Sequence, residues 1–89
     1  MNEFNKEMFK QAKVDINEYE LYELVDGASL GDYFISIYFD CDMVTIIVYD
    51  LVGNATMDMK KDTFLTMGYK DFDLYLNETL YYNYIENEE

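Results

Sequence analysis

The side chains best able to do chemistry in this chain are nineteen carboxylates and one thiol. The thiol belongs to Cys41, which lies between Asp40 and Asp42. A cysteine attacks as the thiolate, which a neighbouring cation or imidazole favours and which these two negative charges disfavour. The chain has no histidine to act as a base near neutral pH and no arginine to hold an anionic substrate. These residue types predict that the protein is not an enzyme.

Two short aspartate pairs resemble the beginning of a calcium-binding loop. They are Asp40-x-Asp42 and Asp71-x-Asp73. A complete loop also needs a glycine at its sixth position and a glutamate at its twelfth, and neither segment has them. With nineteen acids among 89 residues, close pairs of carboxylates also arise by chance. We therefore expect neither a dedicated metal site nor a cofactor.

Negative charge is the strongest chemical signal in the sequence. Nineteen acids and six lysines give a net charge of −13, and residues 14–59 contain ten acids and no base. Surfaces built only for solubility usually mix both signs, because a field of one sign destabilises the fold by self-repulsion. We therefore expect this field to attract a basic partner protein and to repel nucleic acid and anionic membranes.

Size and composition predict one domain over residues 1–89. Apolar residues form 51% of the chain, which suits a packed core better than disorder. One cysteine cannot form an internal disulfide, and the first thirteen residues lack the apolar core of a signal peptide. The longest apolar run, residues 43–49, is too short to cross a bilayer. These features predict a cytoplasmic protein and leave its oligomeric state open.

Hydrophobic patterning predicts an α+β fold, in which a three- to four-stranded antiparallel sheet carries an N-terminal helix and one or two C-terminal helices. β-Branched and aromatic runs predict strands over about 33–40 and 43–51. Gly53-Asn54 then suits a tight turn into a strand near 55–59. The expected core face of the central pair is Ile35, Ile37, Val44, Ile46 and Val48. Its expected opposite face is Ser36, Tyr38, Asp40, Thr45 and Tyr49.

Residues 14–25 fit two patterns. Asp15 and Glu18 have the spacing of a helix capping box, and Gly27 would suit a helix end. Apolar and polar residues also alternate from 19 to 25, as they do in a half-buried strand. We favour the strand over about 19–25.

Helices are predicted at both ends of the chain. Asn2 or Asn5 can cap the first helix, whose apolar stripe is Phe4, Met8, Phe9 and Ala12. Asp62 can cap a short helix that Gly68 would end. Asp71 or Asp73 can cap a last helix that runs to about residue 85. The apolar stripe of that helix is Phe72, Leu76, Leu80 and Tyr84.

The residues best suited to hold a basic partner combine a carboxylate with a nearby aromatic ring at a rigid position. Tyrosine offers a large contact area, a polar tip and a ring face for a lysine or arginine. The turns beside the two central strands and the outer face of the last helix meet these criteria. The predicted partner-binding residues are Asp32, Tyr33, Tyr38, Asp40, Asp42, Tyr49, Asp50, Glu78, Tyr81 and Tyr82.

In composition, with a net charge of −13, ten tyrosines and no arginine, the chain resembles the small acidic inhibitors made by bacteriophages and mobile elements. These include DNA-mimicking anti-restriction proteins, inhibitors of uracil-DNA glycosylase and several anti-CRISPR proteins. The resemblance implies an acidic DNA mimic that binds the basic nucleic-acid-binding surface of a defence nuclease, such as a CRISPR effector, in a bacterial host cell. It transfers no functional residue to this sequence.

Two other functions fit the same composition. Immunity proteins and antitoxins that neutralise nuclease toxins are also small, acidic and rich in tyrosine. A small self-associating adaptor protein is the third possibility, and we favour the inhibitor over both.

Overall fold

The computed structural model of the protein describes residues 3–18 and 21–80. Their helices and strands are α1 Lys6–Asp15, β1 Leu21–Leu30, β2 Tyr33–Asp40, β3 Met43–Tyr49, β4 Asn54–Lys60, α2 Lys61–Thr66 and α3 Tyr69–Leu80. The strands form one antiparallel sheet in the order β1-β2-β3-β4. This arrangement confirms the predicted α+β fold, with four strands and with helices before and after them.

One face of the sheet forms the core with the helices. Because alternate side chains of a strand point to opposite faces, the predicted core residues of β2 and β3 all lie on this face. Ile35, Ile37, Val44, Ile46 and Val48 are each 0% exposed. Strand β4 continues the same face with Ala55, Met57 and Met59, all of them buried. The predicted division of β2 and β3 into an inner and an outer face is confirmed.

Aromatic rings join the three helices beneath this face. The ring of Phe9 in α1 stacks on Phe72 in α3, with centroids 4.7 Å apart, and meets the edge of Phe64 in α2 at 5.4 Å. Lys13 adds a second link, because its ammonium lies 4.5 Å from the Phe9 ring centroid and donates a hydrogen bond to the Met67 carbonyl. Helix α1 is therefore joined to both helices that follow the sheet.

The first helix begins as predicted. Asn5 is its N-cap, and the side-chain oxygen accepts a hydrogen bond from the Met8 amide at 3.0 Å. Phe4, Phe9 and Ala12 are buried and Met8 is half-buried, so the predicted stripe faces the core.

Residues 21–25 form part of strand β1, which confirms that this segment is a strand and not a helix. Strand β1 continues to Leu30, so the predicted end near residue 25 was wrong. Residues 19 and 20 lie outside the described part of the chain. The pairing with β2 shifts between Glu23 and Val25 and again between Val25 and Ala28. Gly27 has a φ of +63°, which glycine adopts at no steric cost. The strand therefore bulges at Gly27 where the sequence pattern suggested that it ends.

The connection between β3 and β4 also differs from the prediction. Strand β3 ends at Tyr49, which pairs with Asn54, so the loop is residues 50–53 and Asn54 is the first residue of β4. The Asp50 carboxylate accepts hydrogen bonds from the amides of Val52 at 2.8 Å and Gly53 at 3.0 Å. This side chain closes the loop, and the predicted Gly53-Asn54 turn does not form.

Both C-terminal helices begin earlier than their predicted caps. The N-cap of α2 is Lys60, without a side-chain cap, because β4 runs straight into the helix. Asp62 is therefore in the first turn, where its charge suits the helix dipole. The backbone leaves helical geometry at Met67, with a ψ of 131°, so α2 ends before Gly68.

Helix α3 begins at Tyr69, so Asp71 lies in its first turn and neither Asp71 nor Asp73 is its cap. Phe72 and Leu76 are buried, which confirms that part of the predicted stripe. The Leu80 side chain, Tyr84 and the predicted end near residue 85 lie outside the described part.

Two tight turns connect the first three strands. Gly31 opens the β1–β2 turn with a φ of +61°, and Cys41 opens the β2–β3 turn with a φ of +57°. Among the described residues, Cys41 is the only one other than glycine with a positive φ. A left-handed backbone costs a residue with a side chain about 1–2 kcal/mol, so the hairpin holds Cys41 in a strained conformation.

Candidate functional site

The second face of the sheet carries the candidate site. The helices of the described part all pack on the core face, so this second face, called the open face, points away from them. Its members alternate with the core positions along each strand. They are Glu23, Ser29, Phe34, Ser36, Tyr38, Asp40, Met43, Thr45, Ile47, Tyr49, Asn54, Thr56, Asp58 and Lys60.

The central row of the open face runs across all four strands. Glu23 pairs with Tyr38, Tyr38 with Thr45, and Thr45 with Asp58. With neighbouring strands about 4.8 Å apart, the row spans roughly 14 Å. The Thr45 hydroxyl donates a hydrogen bond to Asp58 Oδ1 at 2.8 Å, which fixes that carboxylate. The row therefore presents a tyrosine between two carboxylates, on a backbone that the sheet holds rigid.

Tyr38 has acidic neighbours on the β1 side. Its pKa is raised, first because part of the side chain is removed from water and then because its hydroxyl bonds the Glu23 carboxylate. The charges of Glu23 and Asp26 raise the pKa further, while a hydrogen bond with Ser36 lowers it. The phenol thus remains protonated at neutral pH. A ring edged by two carboxylates suits a lysine or arginine side chain, which such a ring attracts by a cation–π contact.

A second row is aromatic. Phe34 in β2 pairs with Tyr49 in β3, and their ring centroids are 5.6 Å apart. The Tyr49 hydroxyl reaches over the β1 bulge, where a Cβ added to Gly27 would stand 3.0 Å from it. The glycine thus makes room for the phenol. Both aromatic side chains are half-buried, so the centre of this row is apolar, with Ser29 and Asn54 at its two ends.

Five of the six lysines lie on the helix side of the sheet. Glu23, Asp40 and Asp58 lie on the open face, and Asp26 lies beside it in the bulge. Lys60 is the single base on this face, because the other five lysines lie in helices α1, α2 and α3. The open face is therefore negative, whereas the helix side mixes both signs.

Three of the predicted partner-binding residues lie on the open face. They are Tyr38, Asp40 and Tyr49. Asp42 lies next to this face in the β2–β3 turn and is exposed. Tyr38, Asp40 and Asp42 lie toward the β2–β3 turn, whereas Tyr49 is the last residue of β3 and lies at the opposite end of the open face.

Three further predicted residues lie elsewhere. Asp32 and Asp50 are in the turns at the other end of the sheet, and the eight residues of β2 separate the ends by about 23 Å. Asp32 is exposed, while the Asp50 carboxylate bonds the amides of its own loop. Tyr33 is half-buried and packs against the core. These three do not share a surface with Asp42.

The predicted residues near the C-terminal end are not on the open face in the part of the chain that the structure describes. Glu78 is exposed on α3, on the helix side of the sheet. Tyr81 and Tyr82 lie outside the described residues.

Sequence reasoning missed Glu23, Asp26 and Asp58. Their signal was present, because Glu23 alternates with Val25 and Asp58 lies between the buried Met57 and Met59. Only the four-strand register reveals that Glu23 pairs with Tyr38 and that Asp58 lies in the same cross-strand row.

Comparison of the chain with protein-family models, curated proteins and solved structures finds no match. Function therefore has to be inferred from the surface itself. Within residues 3–18 and 21–80, no helix is long and apolar enough to cross a membrane. The same residues contain no group of three or more cysteine, aspartate or glutamate side chains placed to hold a metal ion.

Proposed function

We propose that the protein is a non-enzymatic inhibitor that binds the basic nucleic-acid-binding surface of a bacterial defence nuclease in the cytoplasm. A CRISPR effector is the most concrete target, because such nucleases hold nucleic acid in positively charged channels. The observation that supports this most is the excess of acids over bases on the open face. The open face and the adjoining bulge carry four carboxylates and one lysine, and each carboxylate can pair with a lysine or arginine of the channel.

The spacing of one carboxylate pair on the open face favours mimicry of a phosphate backbone. Glu23 and Asp40 are diagonal neighbours on adjacent strands, about 7–8 Å apart, whereas Glu23 and Asp58 are about 14 Å apart. One nucleic-acid strand carries a phosphate every 3.4 Å or so along the helix axis, and its backbone path is longer than the axis. The spacing between Glu23 and Asp40 is therefore of the same order as that between phosphates. Rigidity also lowers the entropic cost of binding.

Replacing acids by amides tests the open face without changing its shape. The test variant is Glu23→Gln, Asp26→Asn, Asp40→Asn and Asp58→Asn. The amide oxygens can still accept the hydrogen bonds from Tyr38 and Thr45. The matched control is Glu3→Gln, Glu7→Gln, Asp71→Asn and Asp73→Asn, all exposed acids outside the four strands, with only the backbone of Glu3 bridged to β1 at Ser29. Each variant changes the net charge equally, from −13 to −9.

The measurements are binding to a panel of purified, guide-loaded CRISPR effectors and a basic nuclease toxin domain, and cleavage of target DNA by each. We expect the open-face variant to lose at least about 30-fold in affinity, since a buried charge pair is worth about 2–5 kcal/mol. The control should stay within about threefold. Added DNA should compete with the inhibitor. Absence of binding across the panel would overturn the proposal. Equal losses of affinity in both variants would mean that binding depends on net charge alone and not on the open face.

A further inference from the structure

The tip of the β3–β4 hairpin presents two aliphatic side chains to solvent. Leu51 is 103% exposed and Val52 is 93% exposed, and every other exposed large apolar side chain of the described residues is at most 58% exposed. Side chains this exposed contribute nothing to the stability of the fold, whereas burial in a complex would supply a favourable free energy. Such exposure suits a surface that is covered in a complex.

The tip is held in one conformation. The Asp50 carboxylate accepts hydrogen bonds from the Val52 and Gly53 amides, and the Asp50 amide donates to the Gly53 carbonyl at 3.0 Å. These bonds use a carboxylate and backbone groups only, so the turn does not need aliphatic residues at 51 and 52. The loop therefore displays Leu51 and Val52 on a preorganised support.

The tip also adjoins the aromatic pair of the open face. It follows Tyr49 directly, and Tyr49 packs on Phe34 on the open face. The β1–β2 turn, with the exposed Asp32, lies at this same end of the sheet. Two aliphatic side chains are thus flanked by carboxylates and by the aromatic row.

We propose that Leu51 and Val52 insert into an apolar cleft of the target protein, and that basic residues border this cleft and meet the open face. The inference rests on the proposed function and adds an apolar anchor to its charged surface. Charge decides between the possible occupants. A net charge of −13 repels anionic lipid and a second copy of the chain, whereas a basic protein surface attracts it.

The test variant is Leu51→Ser with Val52→Ser, which keeps every hydrogen bond of the loop. The matched control is Val14→Ser with Leu74→Ser, which removes the same side-chain types at exposed positions on α1 and α3. Each is measured by surface plasmon resonance against the effector of the panel that binds the wild type best. We expect the tip variant to bind about 10- to 1,000-fold more weakly, almost entirely through faster dissociation. The control should stay within about twofold.

The outcomes separate this inference from the proposed function. If the wild type binds and the tip variant binds equally well, the anchor is wrong and the charged surface remains. If no effector binds, the proposed function fails and the anchor fails with it. Tip-dependent flotation with phosphatidylcholine vesicles, or a tip-dependent dimer in sedimentation equilibrium at 0.5 M NaCl, would assign the tip to a membrane or to a second copy and would also overturn the inference.

Discussion

The Gly27 amide donates a hydrogen bond to the Ser36 hydroxyl oxygen over 2.9 Å, and this bond fixes the bulge of β1 to β2. Ser36 is 4% exposed and is the only buried polar side chain among the described residues. The same bulge carries Asp26 and makes room for the Tyr49 hydroxyl. One serine thus sets the shape of the open face along its β1 edge.

Ser36→Ala should lower the free energy of unfolding by about 1–2 kcal/mol, because it leaves the Gly27 amide without its acceptor. Urea denaturation followed by circular dichroism measures the change. Ser29→Ala is the control, since it makes the same replacement at a half-buried position of β1, and it should change stability by less than about 0.5 kcal/mol. Equal effects of the two variants would contradict a structural role for the Ser36 hydroxyl.

Gly31→Ala should destabilise the protein by about 1–2 kcal/mol, or roughly 4–16 °C in Tm, through backbone strain alone. A Cβ at position 31 meets nothing within 4 Å, but the φ of Gly31 is +61°. Gly53→Ala is matched to it, because Gly53 also has open space and its φ lies outside the left-handed region. That variant should be neutral or slightly stabilising. Thermal melts that rank the two variants in the opposite order would refute this explanation.

Stability should fall as the pH rises above about 10. Partial burial raises the pKa of Tyr38, Tyr69 and Tyr75, and nearby carboxylates raise it further. A tyrosine whose pKa is higher in the folded state adds stability that is complete below its unfolded pKa, about 10, and is lost as the pH passes through the folded pKa. Urea midpoints between pH 8 and pH 11.5 measure this loss. Tyr75→Phe should reduce it, and a midpoint that rises with pH would contradict the sign.

Charge reversal at the β2–β3 turn should weaken inhibition strongly while the fold remains intact. Asp40 and Asp42 are exposed, so Asp40→Lys with Asp42→Lys should leave the circular dichroism spectrum unchanged. The expected loss of affinity is about 30- to several-thousand-fold, as for the removal of a desolvated charge pair. The control, Glu3→Lys with Glu7→Lys, makes the same change of net charge outside the four strands. This control variant should still inhibit. Normal inhibition by the first variant would exclude the turn from the interface.

The sheet core was predictable from the sequence because alternation in β2 and β3 is a local property. Ile35 and Val44 belong to clear apolar alternation, and both are fully buried. The start of α2 was not predictable, since it depends on β4 running on to Lys60 and on the Lys61 amide donating to the Asp42 carbonyl at 2.8 Å. That hydrogen bond joins residues from different parts of the chain, and no local pattern of side chains encodes it.

Some residues of the candidate site were also predictable from the sequence, and others were not. Tyr38 and Asp40 were predictable because they share a strand face, whereas the flanking of Tyr38 by Glu23 requires the register of β1. That register contains two shifts, which alternation alone cannot locate. Asp50 was predicted to contact a partner, and its carboxylate instead binds the Val52 and Gly53 amides of the hairpin loop. Turn chemistry and strand pairing, rather than composition, therefore decide which acids share a surface.

The order of the strands in the sheet has a consequence for how quickly the protein folds. Each strand pairs with the next one in the chain, so most pairing closes only short loops, and such topologies fold fast. The chain has no proline, so no prolyl isomerisation delays it. Helix α1 is far from α2 and α3 in the sequence and contacts them and the segment between them through Phe9 and Lys13. Docking of α1 on α2 and α3, rather than assembly of the open face, should therefore limit the folding rate.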